Sequence, residues 1–159
     1  MILTAQEEYG LRCALSLARV QRSVDGASTL AEVAESEGLT SPYAGKLLRL
    51  LVVGGIAQST RGRSGGYVLA RPATEIPVSE VLRVLGGKLY DGEICAGELP
   101  TDRLCVHNSD CAVRSLWRGL QGAIDEYLVG ISLADLIGNE QAVAMVFAQL
   151  SSAAGAQHE

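Results

Sequence analysis

The stretch Thr29–Ala70, TLAEVAESEGLTSPYAGKLLRLLVVGGIAQSTRGRSGGYVLA, holds two helix signatures followed by a hairpin signature. Thr29 and Glu32 form a capping box, in which hydroxyl and carboxylate each satisfy a backbone N–H that the first turn of a helix leaves open. Leu30, Val33 and Ala34 then share one face, and Gly38 supplies the glycine stop of a short helix. Ser41 followed by Pro42 reads as N-cap and first position of a second helix. Its apolar Leu47, Leu50 and Leu51 alternate with Lys46 and Arg49 until Gly54-Gly55 ends it. Two strand-like runs follow, Ile56–Ser59 and Tyr67–Ala70, joined by the Gly-rich turn Thr60–Gly66. Helix, short turn, helix and basic hairpin together spell a winged helix-turn-helix.

Upstream, Thr4 and Glu7 make another capping box, and Tyr9, Cys13, Leu17 and Val20 recur at helical spacing. That predicts a helix over residues 5–20 with Glu8 and Arg12 on one flank. Downstream, Pro77 and the set Val78, Val81, Leu82 and Leu85 predict a helix closed by Gly86-Gly87. Residues 88–109 have little periodicity and read as an irregular loop. From Asp110 to Leu128, Val113, Leu116, Trp117, Leu120, Ile124 and Tyr127 mark a long helix, and a short one is expected after Ser132. The fold class is mainly α with a small β-hairpin. Its expected parts are a winged helix-turn-helix domain over 1–87, a cysteine-rich loop over 88–109, a long helix with a C-terminal helical segment over 110–150, and a disordered tail over 151–159.

A chain of 159 residues with 48% apolar content buries one core plus an appended helical element. No stretch has the uninterrupted apolar length of a membrane span, and the start lacks a basic, apolar leader, so a cytoplasmic protein without membrane contact is expected. The net charge of −5 is unevenly spread. Between Glu37 and Glu75 there is no acidic residue, whereas Lys46, Arg49, Arg61, Arg63 and Arg71 all fall there. The other 8 basic residues face all 18 acidic ones, so a basic module is attached to an acidic body. No phosphate loop, dinucleotide fingerprint or nucleophile elbow is present, which argues against an enzyme.

The second helix of a helix-turn-helix lies in the major groove of double-stranded DNA with its first residues nearest the bases. Ser41, Tyr43, Lys46 and Arg49 are therefore the contact candidates there, against the plainer reading of a solvated face with Tyr43 packed on its neighbour. In the hairpin, Arg61 and Arg63 flank Gly62, which lets guanidinium groups approach a narrow minor groove. Cys95, Cys105 and Cys111 cluster at spacing C-x9-C-x5-C. Three soft thiolates on one loop suit an iron-sulfur cluster or a zinc ion, and the absence of close C-x2–4-C pairs tilts the spacing toward a cluster. A disulfide with a spare thiol is the remaining reading, disfavoured in a reducing compartment. Cys13, alone on an apolar helical face, reads as a core residue. His107, or a group from elsewhere in a dimer, are candidate fourth ligands, with Asp102 and Asp110 nearby in sequence.

Taken together, Leu30–Glu35, Gly38–Leu48, Arg61–Tyr67, Ile76–Val81 and the cysteine loop before Ser115-Leu-Trp resemble the Rrf-type winged-helix iron-sulfur transcription regulators, from Leu3 to about Leu136. The resemblance implies a homodimer in which the helix near 110–128 pairs with its twin. It also implies that oxidation, nitrosylation or loss of the cluster alters operator affinity. By the same resemblance Cys95, Cys105 and Cys111 match the cluster cysteines, Arg61 the wing arginine and Tyr43 a recognition-helix tyrosine. Three departures stand out: the first two cysteines are further apart, Arg114 replaces the ligating histidine of IscR-like members, and Gly45 replaces a glutamate that reads sequence in some. Glu8 falls where NsrR-like members place an acidic ligand from the other protomer, so Glu8 of the partner subunit is the implied fourth ligand. The plainer reading of Glu8 is a surface ion pair with Arg12. Alternatives of other kinds are a zinc-structured or thiol-sensing regulator, and an iron-sulfur electron carrier or delivery protein.

Overall fold

The computed structural model describes residues 4–21, 26–60, 65–88, 90, 107 and 110–155, with side chains to residue 148. Helix α1 (Ala5–Val20) opens on the expected capping box: the Glu7 carboxylate accepts the Thr4 N–H at 2.8 Å, and the Thr4 hydroxyl accepts the Glu7 N–H at 3.3 Å. Its inner face buries Gly10, Cys13, Ala14, Leu17 and Ala18. Helix α2 (Leu30–Ser36) repeats the device with Thr29 and Glu32, and the Thr29 N–H and hydroxyl hold the Glu32 carboxyl below its usual range. Gly38 at φ +65° then turns the chain, a conformation that costs other residues strain.

Helix α3 (Ser41–Val53) begins one residue earlier than the sequence indicates. Thr40 is the N-cap and Ser41 is already helical, with Pro42 in the first turn, where its missing N–H costs nothing. Leu47, Leu48 and Leu51 are buried. Strands β1 (Ala57–Thr60) and β2 (Gly66–Leu69) pair antiparallel in the register Ala57↔Leu69, Gln58↔Val68, Ser59↔Tyr67 and Thr60↔Gly66. Ile56 is not part of β1, because its N–H bonds back to the Leu51 carbonyl at 2.9 Å and its side chain closes the core.

A 3-10 turn (Ala73–Glu75) leads to helix α4 (Val78–Leu85), closed by Gly86 at φ +93°. Helices α1, α3 and α4, with α2 and the hairpin, surround one apolar core. Helix α5 (Ala112–Val129) differs from these: none of its residues is buried. The segment that follows it is anchored in that core. Beyond it the Val78 N–H donates to the Ile131 carbonyl at 2.8 Å and the Leu133 N–H to the Ile76 carbonyl at 2.9 Å, forming an isolated bridge between Pro77 and Ser132. Ile131 and Leu133 are fully buried there. After a 3-10 turn (Leu133–Leu136) capped by Ser132 and Asp135, helix α6 (Glu140–Gly155) runs to the end of the described chain. The sequence reading foresees a tail from residue 151, but Ala and Ser carry no helix breaker and the helix continues to Gly155.

Leu133 belongs to the core formed by α1, α3 and α4 although it follows α5 by only a few residues. Leu133→Ala is expected to lower unfolding stability by about 2–5 kcal/mol, measured by urea denaturation.

Candidate nucleic-acid interface and cysteine site

Burial of Leu47, Leu48 and Leu51 turns the opposite face of α3 outward, and Ser41, Lys46 and Arg49 are exposed on it. Neither Lys46 nor Arg49 has a carboxylate partner among the described residues. Thr40 makes no side-chain cap bond, so the first-turn N–H groups of α3 lack that partner and present the positive end of the helix. Tyr43 sits differently. It is half-buried, and its ring meets Tyr9 of α1 edge-on, with centroids 6.2 Å apart and planes at 78°. Packing of Tyr43 on a neighbouring helix matches the plainer reading of that residue, whereas Tyr9 as its partner could not be named from spacing, because the two tyrosines lie on different helices.

Arg71, counted among the cations of the acid-free window, is paired. Its guanidinium donates two 2.8 Å hydrogen bonds to the Glu80 carboxylate, and that pairing raises its pKa further. Among the described residues, the outward charge of the acid-free window thus rests on Lys46 and Arg49. Arg61 and Arg63 lie outside the described residues, as does most of the wing turn. The base of that turn is described: the Thr60 hydroxyl accepts the Gly66 N–H at 3.0 Å and donates to the Gly66 carbonyl at 3.3 Å. Gly66 is needed for close approach, since a Cβ there would fall 2.5 Å from the Ser28 carbonyl oxygen.

Of the three clustered cysteines, Cys95 and Cys105 lie outside the described residues and Cys111 is half-buried. Cys111 is the N-cap of α5, and its Sγ accepts the Arg114 N–H at 3.4 Å. The thiol thus stands where a capping oxygen usually stands at a helix start. Sequence periodicity placed the helix start at Asp110 and missed this role, because cysteine is not an ordinary capping residue. His107 and Asp110 are exposed, and the described residues alone bring no three potential metal ligands together.

Glu8 is half-exposed on α1 and accepts the Arg12 Nε–H at 2.9 Å, the surface pair that the spacing indicated. The Arg12 guanidinium also lies 5.7 Å from the Tyr9 ring centroid. Cys13 is wholly buried, and burial, with Glu37 contributing, pushes its thiol up to about 12. No helix among the described residues is long and apolar enough to cross a membrane.

A helix-turn-helix that turns unpaired cations outward, with an antiparallel wing behind it, defines a winged-helix DNA-binding protein. The chain belongs to the Rrf2 family of transcription regulators: residues 3–139 match the family model, described as an iron-dependent transcriptional regulator. It is 32% identical over 141 residues to the HTH-type transcriptional regulator IscR of Photorhabdus laumondii, covering 89% of this chain and 82% of that one. Among solved structures it is similar to T. potens IscR, with TM-score 0.64, 30% identity and 86% of each chain covered. It is also similar to CymR, the global cysteine regulator of B. subtilis, with TM-score 0.65, 26% identity, and 86% of this chain and 95% of that one covered. The chain is accordingly a DNA-binding transcription regulator and not an enzyme.

Because its thiol stays protonated and enclosed, Cys13 should resist iodoacetamide at pH 8 in the folded, metal-free protein, and should react once urea unfolds it. Peptide mass mapping of the alkylated cysteines reads the result.

Proposed function

We propose that this regulator binds double-stranded DNA as a homodimer and carries an iron-sulfur cluster whose redox, nitrosylation or occupancy state sets its operator affinity. The observation that carries this reading is Cys111 at the head of α5. It has a backbone N–H on its sulfur and stands at the junction between a three-cysteine linker and a helix with an unpartnered apolar face. N–H···S bonds and a positive helix end suit a thiolate that ligates iron, so the described part of the donor set fits the group.

Cys95, Cys105 and Cys111 would hold the cluster from one protomer and Glu8 of the partner subunit from the other. Nuclearity, whether [2Fe-2S] or [4Fe-4S], is left open by this donor set. The cluster would supply a change of charge and of ligation at that junction. Dimer formation is supported by α5 itself, where Val113 and Leu116 are 60% and 57% exposed and Trp117, Leu120 and Tyr127 lie beside solvent. An apolar stripe of that kind marks an interface. In the cytoplasm, the proposed setting, thiolates remain available to metal.

On DNA, Ser41, Lys46 and Arg49 would face the major groove, with Tyr43 held by Tyr9 in the same turn. Arg61 and Arg63 would reach the minor groove from the wing. A second reading, a regulator that senses through thiols or structural zinc without a cluster, is favoured by the likeness to CymR, which is described by its control of cysteine rather than by iron.

Protein purified without oxygen is expected to be coloured, to contain iron and sulfide, and to bind DNA with different affinity in holo, oxidised and metal-free forms; Cys111→Ser should lose the cluster. A colourless protein with stoichiometric zinc, unchanged after anaerobic reconstitution, would assign the second reading instead. Lys46→Ala and Arg49→Ala should each weaken binding to all sequences and lower the slope of log affinity against log salt by about one, with unchanged thermal stability.

A further inference from the structure

Helices α4 and α5 are in contact, yet a cleft of about 470 Å³ remains between them, a size that takes a small molecule. One wall is Ser79, Glu80 and Arg83 of α4, continued by Gly87 and Lys88 just past the helix. The other is Gln121, Asp125 and Val129 of α5, which recur every four residues and so share one face. That face lies roughly a third of a turn round the helix from Leu116, Leu120 and Tyr127. The cleft and the stripe proposed for a second copy are therefore different surfaces. Gln121 is also about 15 Å along the helix axis from the Cys111 cap, which separates the cleft from the cysteine end of α5.

The charges in the cleft are unevenly committed. Its acids are engaged: Glu80 accepts two 2.8 Å hydrogen bonds from Arg71, and Asp125 accepts the Gln121 amide at 2.8 Å. The Gln121 carbonyl oxygen accepts the Tyr90 N–H at 3.1 Å, which ties the chain beyond Lys88 to α5. Arg83 and Lys88, by contrast, are exposed and have no carboxylate partner among the described residues. Pro77 and Val129 add apolar surface to the same cleft. We infer that the cleft is a binding site for a small organic carboxylate. The anion pairs with the Arg83 guanidinium, whose planar fork suits a carboxylate, and with the Lys88 ammonium. The Ser79 hydroxyl is a further donor, and the apolar body of the ligand covers Pro77 and Val129. An occupant touches both walls and so joins α5 to α4, the helix that contacts α1 and α3.

This site needs neither DNA nor a cluster, so it can fail while the proposed function stands. The probe is benzoate, titrated into the full chain and followed by amide-resolved NMR. Saturable binding with a Kd of about 1 mM is expected, with shifts at Gly87 and at Val129, one on each wall. Arg83→Gln and Lys88→Gln should each weaken binding about tenfold. Both side chains are exposed, so the fold should survive either change. Arg118→Gln, on α5 but outside the cleft, should leave the affinity as it is. Benzamide, which lacks the charge, and inorganic phosphate, which lacks the apolar body, should both bind about tenfold more weakly. Absence of saturable benzoate binding would overturn the site, as would an unchanged affinity in both cleft variants or shifts confined to one wall. Equal binding of benzamide or of phosphate would overturn the assignment to an organic carboxylate.

Discussion

Helix α4 reaches both α1 and α3 only because Gly10 and Gly54 have no side chains. A Cβ at Gly10 would run into Leu85, and one at Gly54 would strike both methyl groups of Val84 and lie 2.9 Å from its Cβ. These two close approaches seat α4, and α4 in turn positions what lies on either side of it. Its N-terminal end, at Pro77 and Val78, forms the bridge to Ile131–Leu133, so the end of α5 is tied to the same core that supports α3. A close-packed core transmits displacement instead of absorbing it. The end of α5 and helix α3 are thereby joined to one core through α4.

The electrostatics follow from that arrangement. An acidic chain presents Lys46 and Arg49 on one exposed face because the acid-free window covers α3, while Arg71 of the same window is tied to Glu80. Lys46 and Arg49 project from a helix whose other side is fixed by three buried leucines, so their direction is set by packing. The cysteine linker joins this module to α5, and its last cysteine is also the first structural element of that helix. In the proposed function, an event at the cysteines would bear at once on the head of α5.

Much of this was legible in the amino-acid sequence for a simple reason. Capping boxes at Thr4, Thr29 and Ser132, glycine stops at Gly38 and Gly86, and the apolar spacing of α1, α3 and α5 are satisfied within a turn or two of the chain. Local rules therefore suffice to determine the winged helix-turn-helix, the long helix after it and the outward place of Lys46 and Arg49. What only the tertiary structure decided are contacts between elements: the Tyr9–Tyr43 pair, the capture of Arg71 by Glu80, the burial of Leu133 and the fit of α4 over two glycines. Each depends on where separate helices come to lie, and a helical period specifies which face a residue occupies without naming the side chain that will meet it.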